Sequence, residues 1–355
     1  MVKQQPVKDS TSTQKVAVFI KDKFSKIRTV NKKYLARRPH RSFRRTRRRD
    51  YVRSLKLPGY WSFSHYVLKV LWQHKKVFLL LALFYAVLTG IMVGIASQET
   101  YTTLTDTLKQ TSGDFFKGNF GQIGESGLLL LTIASGGISQ TTTEAQQIYA
   151  GLIALMTWLT SVWLLRNILA NKRVKLRDGL YNSSAPLIST FIVALVLIVQ
   201  LLPMAIAVLA YSAASATGLL AGGVESMLFW IAASLLTVLS LYWITSTVIA
   251  LIVVTLPGMY PFRAIQTAGD LVVGRRVRIL LRILWIILSI LVAWVVVMIP
   301  VIMIEAWIKG LWPALQNVPV IPIITLALTS LTIVWAAGYV YLLYRKVVAD
   351  DVDPA

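Results

Sequence analysis

The chain has 355 residues, of which 56% are hydrophobic and only 15% charged, with a mean hydropathy of +0.64. Soluble globular domains carry about 25% charged residues, so most of this chain lacks the means to build a water-facing surface. The net charge of +22 is segregated: residues 1–76 hold 12 Lys and 10 Arg against Asp9, Asp22 and Asp50, a net +19, while residues 77–355 hold 15 basic and 12 acidic residues. Basicity therefore belongs to the first fifth of the chain and does not by itself make the whole a nucleic-acid binder.

Cysteine is absent, which removes disulfides, thiolate metal sites and cysteine nucleophiles together. No secretory signal is visible. The first 30 residues are polar and the apolar run at 16–20 is too short for an h-region, so internal apolar segments are expected to direct insertion.

Taken in chain order, residues 1–13 are polar and expected to be disordered. Residues 16–35 place Val16, Ile20, Phe24, Ile27 and Val30 at helical spacing among lysines, the pattern of a basic amphipathic helix suited to an anionic membrane surface or a partner groove. The basic residue type then switches. Residues 1–36 have eight Lys and one Arg; residues 37–53 have nine Arg and no Lys, namely Arg37, Arg38, Arg41, Arg44, Arg45, Arg47, Arg48, Arg49 and Arg53. Guanidinium groups grip phosphate oxygens two at a time, and phosphates occur in lipid headgroups as well as in nucleic acids. Each basic residue near an anionic leaflet gains about 1 kcal/mol, so a lipid-bound topology anchor is the simpler account of this run.

"LPGYWSFSH" at 57–65 follows, with Pro58 and Gly59 marking a turn. Residues 62–76 are expected to form an in-plane helix with Ser62 as N-cap and Phe63, Val67, Val70 and His74 on one face. The three histidines, His40, His65 and His74, all lie in this basic leader. Like-charge repulsion and the lack of paired carboxylates argue against a metal site there.

Six apolar stretches are long enough to cross a hydrocarbon core of about 30 Å, which takes about 20 helical residues. They run over 77–97, 147–169, 186–211, 227–256, 279–304 and 320–344. Helices are expected because lipid offers backbone amides no hydrogen-bonding partner. In the first span Ala86, Gly90 and Gly94 form a small-residue stripe that permits close helix approach, with packing inside the bundle weighed above dimerisation. The short apolar run at 128–134 and the glycines after it read as a re-entrant segment over 128–138, or as a surface-packed outer loop. In the third span Gln200 and Pro203 mark a kink or a cavity, where Gln200 is placed to satisfy the carbonyl that Pro203 frees. Arg282 and Glu305, near the two ends of the fifth, are expected to snorkel to the interfaces.

Loop charge sets orientation through the positive-inside rule. Lys172, Arg173, Lys175 and Arg177 crowd the second loop, Arg263, Arg275, Arg276 and Arg278 the fourth, and Arg345 and Lys346 open the tail. The first, third and fifth loops are acidic or nearly neutral. Basic and non-basic loops alternate throughout, which predicts both termini on the cytoplasmic side. Trp61, Trp72, Trp307 and Trp312 fall at interfacial positions.

No P-loop, dinucleotide fingerprint or nucleophile–base set is present, and the spans carry almost no ionisable residues near their midplanes. That argues against proton-coupled transport. "PGMYPFRAIQTAGDLVVGRRVRILLRILWIILSILVAW" at 257–294 has a proline-led amphipathic helix, a Gly–basic cluster and an immediate long span. It resembles the membrane domain that accompanies some glycerophosphoryl diester phosphodiesterases, and that domain's stand-alone bacterial relatives of unknown function. "NKRVKLRDGLYNSSAPLI" at 171–188 reads as the analogous loop of an earlier half. The resemblance implies membrane architecture alone. The family's soluble, metal-dependent catalytic barrel has no counterpart here, and the Arg-rich leader lies outside the pattern.

The expected protein is thus all-α and polytopic, of a prokaryotic cytoplasmic membrane, with six transmembrane helices and both termini inside. Its parts are a basic leader (1–61), an interfacial helix (62–76), the six-helix domain (77–346) and a short acidic tail (347–355). It is expected to be non-enzymatic and without a cofactor, a scaffold or lipid-associated envelope component on the anionic inner leaflet. A protein partner and the oligomeric state stay open. The alternatives are a facilitator or flippase working near Gln200 and Pro203, and a membrane tether for nucleic acid or ribosomes through Arg37–Arg53.

Overall fold

The computed structural model describes residues 57–93, 144–217, 220, 222–311 and 320–352. All lie in the larger of two compact units, Ser54–Ala355; the other unit, Met1–Arg53, falls outside the described residues. The amphipathic segment at 16–35, the arginines from Arg37 to Arg53, Gly94 and the segment 128–138 fall outside them too.

Nine helices and no strand occur among the described residues: α1 (Tyr60–Gln73), α2 (Lys75–Met92), α3 (Glu144–Leu169), α4 (Leu176–Asn182), α5 (Leu187–Ala216), α6 (Gly223–Val253), α7 (Pro261–Val272), α8 (Arg276–Leu311) and α9 (Val320–Val352). Six of them, α2, α3, α5, α6, α8 and α9, are long and apolar enough to cross a membrane. They match the six expected stretches. Helices α8 and α9 outrun their apolar runs, because a helix continues until its backbone is interrupted whereas hydropathy ends at the first charges. Thus α8 begins at Arg276, and α9 continues through Arg345 and Lys346 to Val352, into residues expected to form a separate tail.

The helix ends follow from local chemistry. At the end of α3, Asn171 takes φ 57° and the Lys172 amide returns to the Asn167 carbonyl at 3.0 Å, a left-handed cap that asparagine tolerates. Helix α7 opens with Pro261 at its first position behind an extended Tyr260, where a missing amide costs nothing. The turns on either side need positive φ at Gly258 (75°) and Gly274 (82°).

Two expectations for the first helix are corrected. Helix α1 starts from Gly59, whose carbonyl accepts the Phe63 amide at 2.9 Å, and no side chain caps it; Ser62 lies within the helix. It ends at Gln73 because His74 (φ −115°, ψ 30°) leaves helical geometry and links α1 to α2, so His74 is a hinge residue and does not extend the apolar face. Phe63, Val67 and Val70 do share a buried face. That face packs on α8 and α9.

Helix α9 is the hub, touching α1, α2, α3, α6 and α8. Seven successive residues, Ala337 to Leu343, are all buried, so the helix is enclosed on every side there. Gly338 makes this possible: a Cβ on it would already stand 3.5 Å from Leu71 and 3.6 Å from Leu165. Helix α5 is the opposite case. Thr190, Val193, Ala207 and Ala214 are its buried residues, and it packs chiefly on α6, leaving an apolar flank of the kind that faces lipid.

Candidate functional site

One end of the bundle gathers the C-termini of α3, α6 and α9 with the N-terminus of α8, and arginines hold it together. Arg166, near the end of α3, donates from Nη1 to the Thr255 carbonyl at 3.0 Å and from Nη2 to the Thr255 hydroxyl at 2.6 Å, so a single guanidinium fork joins α3 to the segment after α6. Arg276, at the start of α8, lies 3.7 Å over the Tyr242 ring and donates to the Tyr242 carbonyl at 3.0 Å. These partners are carbonyls, a hydroxyl and an aromatic face.

Arg282 is more enclosed than Arg166 or Arg276. Only 6% of it is exposed, which corrects the expectation that it snorkels; Glu305, 8% exposed, is buried as well. The Arg282 guanidinium lies 4.1 Å from the Tyr60 ring centre and 5.7 Å from that of Phe63, and its Nη2 donates to the Pro58 carbonyl. Its position in the second turn of α8 puts it against α1 and α9, where it cannot reach solvent around Tyr60. The rings continue outward as a cluster. Trp285 meets Tyr60 at 5.5 Å and Trp61 at 5.1 Å, and donates from Nε1 to the Ser64 hydroxyl at 2.9 Å. On the inner side Tyr339 meets Phe63 edge-on at 4.9 Å. The Tyr339 hydroxyl is close enough to the same guanidinium to share a long side-chain hydrogen bond with it, and neither it nor Arg282 Nη1 has a partner at ordinary hydrogen-bond distance among the described residues.

A second polar seam runs between α2, α3 and α4. The Tyr85 hydroxyl is 2.9 Å from Thr160 Oγ1, which is 2.9 Å from Ser183 Oγ and donates to the Met156 carbonyl at 2.8 Å. Each of these groups finds a partner, so the seam reads as structural glue. Gly179 fixes the short helix α4 against it: a Cβ there would fall 2.9 Å from Leu164 Cδ2.

Gln200 and Pro203 are brought to the α5–α6 contact. Gln200 Oε1 accepts from Thr247 Oγ1 at 2.6 Å and so ties α5 to α6. The break in the α5 ladder is met by Ser240, whose hydroxyl accepts the Met204 amide at 3.1 Å. Ala86 is buried, and a Cβ on Gly90 would stand 3.5 Å from Leu326 of α9, so both lie at an internal helix contact. No group of three or more His, Cys, Asp or Glu side chains able to hold a metal occurs among the described residues.

Sequence reasoning missed the Arg282 box. Its signal was present as an arginine inside an apolar span, the run of aromatic residues over 60–66, and Tyr339. What joins them is the folding together of residues 221 to 224 positions apart in sequence. The six apolar helices are those of a multi-pass membrane protein. No protein-family model, curated protein or solved structure matches this chain.

Proposed function

We propose that the protein is a non-enzymatic, lipid-associated scaffold of a prokaryotic cytoplasmic membrane, with both termini inside and its basic leader laid on the anionic inner leaflet. The observation that carries this reading is the segregation of charge, +19 of the +22 lying before residue 77. The contacts at the basic end support it, since Arg166 and Arg276 cross-link helices through carbonyls and rings. Nine closely spaced arginines near a leaflet that returns about 1 kcal/mol each give strong peripheral binding without any further ligand. The resemblance of 257–294 to a phosphodiesterase-linked membrane domain supports the architecture, and supplies no catalytic residue.

The test is purification of the whole chain in native lipid, followed by mass analysis of what accompanies it. Enrichment of anionic phospholipid that falls when the nine arginines from Arg37 to Arg53 are changed to Gln is the expected result. Nucleic acid bound in stoichiometric amount, with a steep salt dependence lost in the same variant, would establish the tether instead. Orientation is tested separately. The chain has no cysteine, so single cysteines at 175 and 276 report without background; labelling from outside intact cells at either position would reverse the topology.

A further inference from the structure

Among the described residues a short helix followed by two spans recurs three times, as α1–α2–α3, α4–α5–α6 and α7–α8–α9. The packing recurs with it. Helix α4 lies on α2 and α3, α7 lies on α5 and α6, and α1, which has no spans before it, lies on the last pair, α8 and α9. The arrangement thus closes on itself through α1. The sequence keeps a trace of the repeat. Trp158, Thr160 and Ser161 of α3, with Gly179 and Ser183 at α4, recur at one constant separation as Trp243, Thr245, Ser246, Ala264 and Ala268. Gly179, Ser183, Ala264 and Ala268 are all buried, so α4 and α7 turn the same small-residue face inward. Phe63 and Val67 hold that spacing in α1. Direct bonds put the three short helices at one end of the bundle. Arg166, near the end of α3, holds Thr255 between α6 and α7, and Arg282 of α8 holds Pro58 just before α1.

What these helices turn outward differs in kind from the flanks of the spans. The five most exposed aromatic side chains among the described residues are Trp61, Trp72, Tyr181, Tyr260 and Phe262, at 70–84% exposure. All five belong to the three short helices or to the residue just before one. Exposed cations accompany them: Lys69 on α1 and Lys75 just after it, Lys175 and Arg177 at α4, and Arg263 on α7. Lys75 Nζ stands 5.0 Å from the Trp72 ring. Helices α4 and α7 carry one carboxylate each, Asp178 and Asp270, and α1 carries none; Asp178 accepts the Lys175 amide at 3.1 Å. Rings beside cations, where spans leave the hydrocarbon, are a composition that settles among anionic lipid headgroups. We infer that α1, α4 and α7 form a collar that binds anionic phospholipid around one end of the bundle, with the rings at the glycerol level and the cations on lipid phosphates. A leaflet is favoured over a protein because the rings are spread over three helices on different pairs of spans. A leaflet meets all three at once, whereas a protein docked on one side does not. The collar deepens the lipid-associated reading given above, and needs no residue of the leader.

The experiment uses the whole chain with the nine arginines from Arg37 to Arg53 changed to Gln, so that the leader cannot supply the effect. The chain has no cysteine, so a single introduced one carries a fluorophore at exposed His65, Ser184 or Gln266, beside α1, α4 and α7. A fourth position, Val224, is exposed at the start of α6 and so marks the other end. Each protein is placed in nanodiscs of phosphatidylcholine and phosphatidylglycerol with a little of either lipid spin-labelled near the glycerol. Labelled phosphatidylglycerol is expected to quench positions 65, 184 and 266 more strongly than labelled phosphatidylcholine, with no difference at 224. Lys175→Gln is expected to lower the preference at 184 about fivefold, the worth of one cation beside an anionic leaflet, and to leave that at 266 unchanged. Phe262→Ala is expected to weaken quenching at 266 by both lipids. Every substituted side chain is exposed, so the fold is not at stake. Equal quenching by the two lipids at any of the three positions overturns the collar. So does a preference that appears only when the leader arginines are restored, which would assign it to the leader. Quenching by neither lipid overturns it as well, and leaves the three helices as a surface for a protein. Anionic lipid enrichment that does not fall in the leader variant, with the preference intact at these positions, would remove the leader from the account and leave the collar standing.

Discussion

Thr247 and Gln200 show what a single polar pair does between helices that have no hydrophobic reason to associate in lipid. Their 2.6 Å hydrogen bond ties α5 to α6 close to where Pro203 breaks the α5 ladder. Interhelical hydrogen bonds in membranes are worth about 0.6 kcal/mol on average and about 1.7 at most. A double-mutant cycle on Gln200→Leu and Thr247→Val, read by unfolding in mixed micelles, is expected to give a coupling within that range, and additivity would show the bond to be incidental. Gly179→Ala is expected to cost about 1–3 kcal/mol by the same measurement, since its Cβ must displace Leu164 from a 2.9 Å approach. Little of this was legible beforehand. Gln200 and Pro203 stand out in the sequence because both are rare in an apolar run. Their partners do not: Thr247 lies 47 residues beyond Gln200 and Ser240 lies 36 beyond Met204, among many other hydroxyls. The cap of α1 failed for a related reason: Ser62 has the right chemistry, and the turn at Pro58–Gly59 simply starts the helix earlier.

At the level of elements, length and hydropathy were enough to find the spans, because the thickness of a hydrocarbon core fixes how long each must be. They were not enough to say which span is central. Length and hydropathy mark both α5 and α9 as spans, yet α5 lies largely open and α9 is enclosed by five neighbours. The difference comes from small residues at the crossing, above all Gly338, which lets Leu71 and Leu165 close on α9 from two sides. Gly338→Ala is expected to be tolerated, its new methyl making ordinary contacts at 3.5 Å. Gly338→Phe is expected to lever α1 away and expose the chain near His74 to added protease; unchanged cleavage would show that α1 is not held by this crossing.

For the whole molecule, charge patterning was legible because it acts at long range and needs no contact map. The arginine box was not, because it is assembled from α1, α8 and α9. The small-residue stripe bears on assembly. Ala86 is buried and Gly90 faces Leu326 of α9, so Gly90→Leu is expected to lower the stability of the single chain and leave the mass of the detergent-solubilised species unchanged by light scattering. A shift in mass would place the stripe at a contact between copies.

The position of α9 in the chain has a consequence for biosynthesis. All the helices that it binds, α1, α2, α3, α6 and α8, precede it, so each leaves the ribosome before the helix that ties them together exists. Until then the sides of Leu71, Leu165 and Phe63 that α9 covers stand open to lipid or an insertion factor, and the Arg282 guanidinium has no Tyr339 beside it. A nascent chain halted at residue 319 is therefore an inserted but unassembled intermediate, and pulse–chase labelling should find it short-lived where the chain carrying α9 persists.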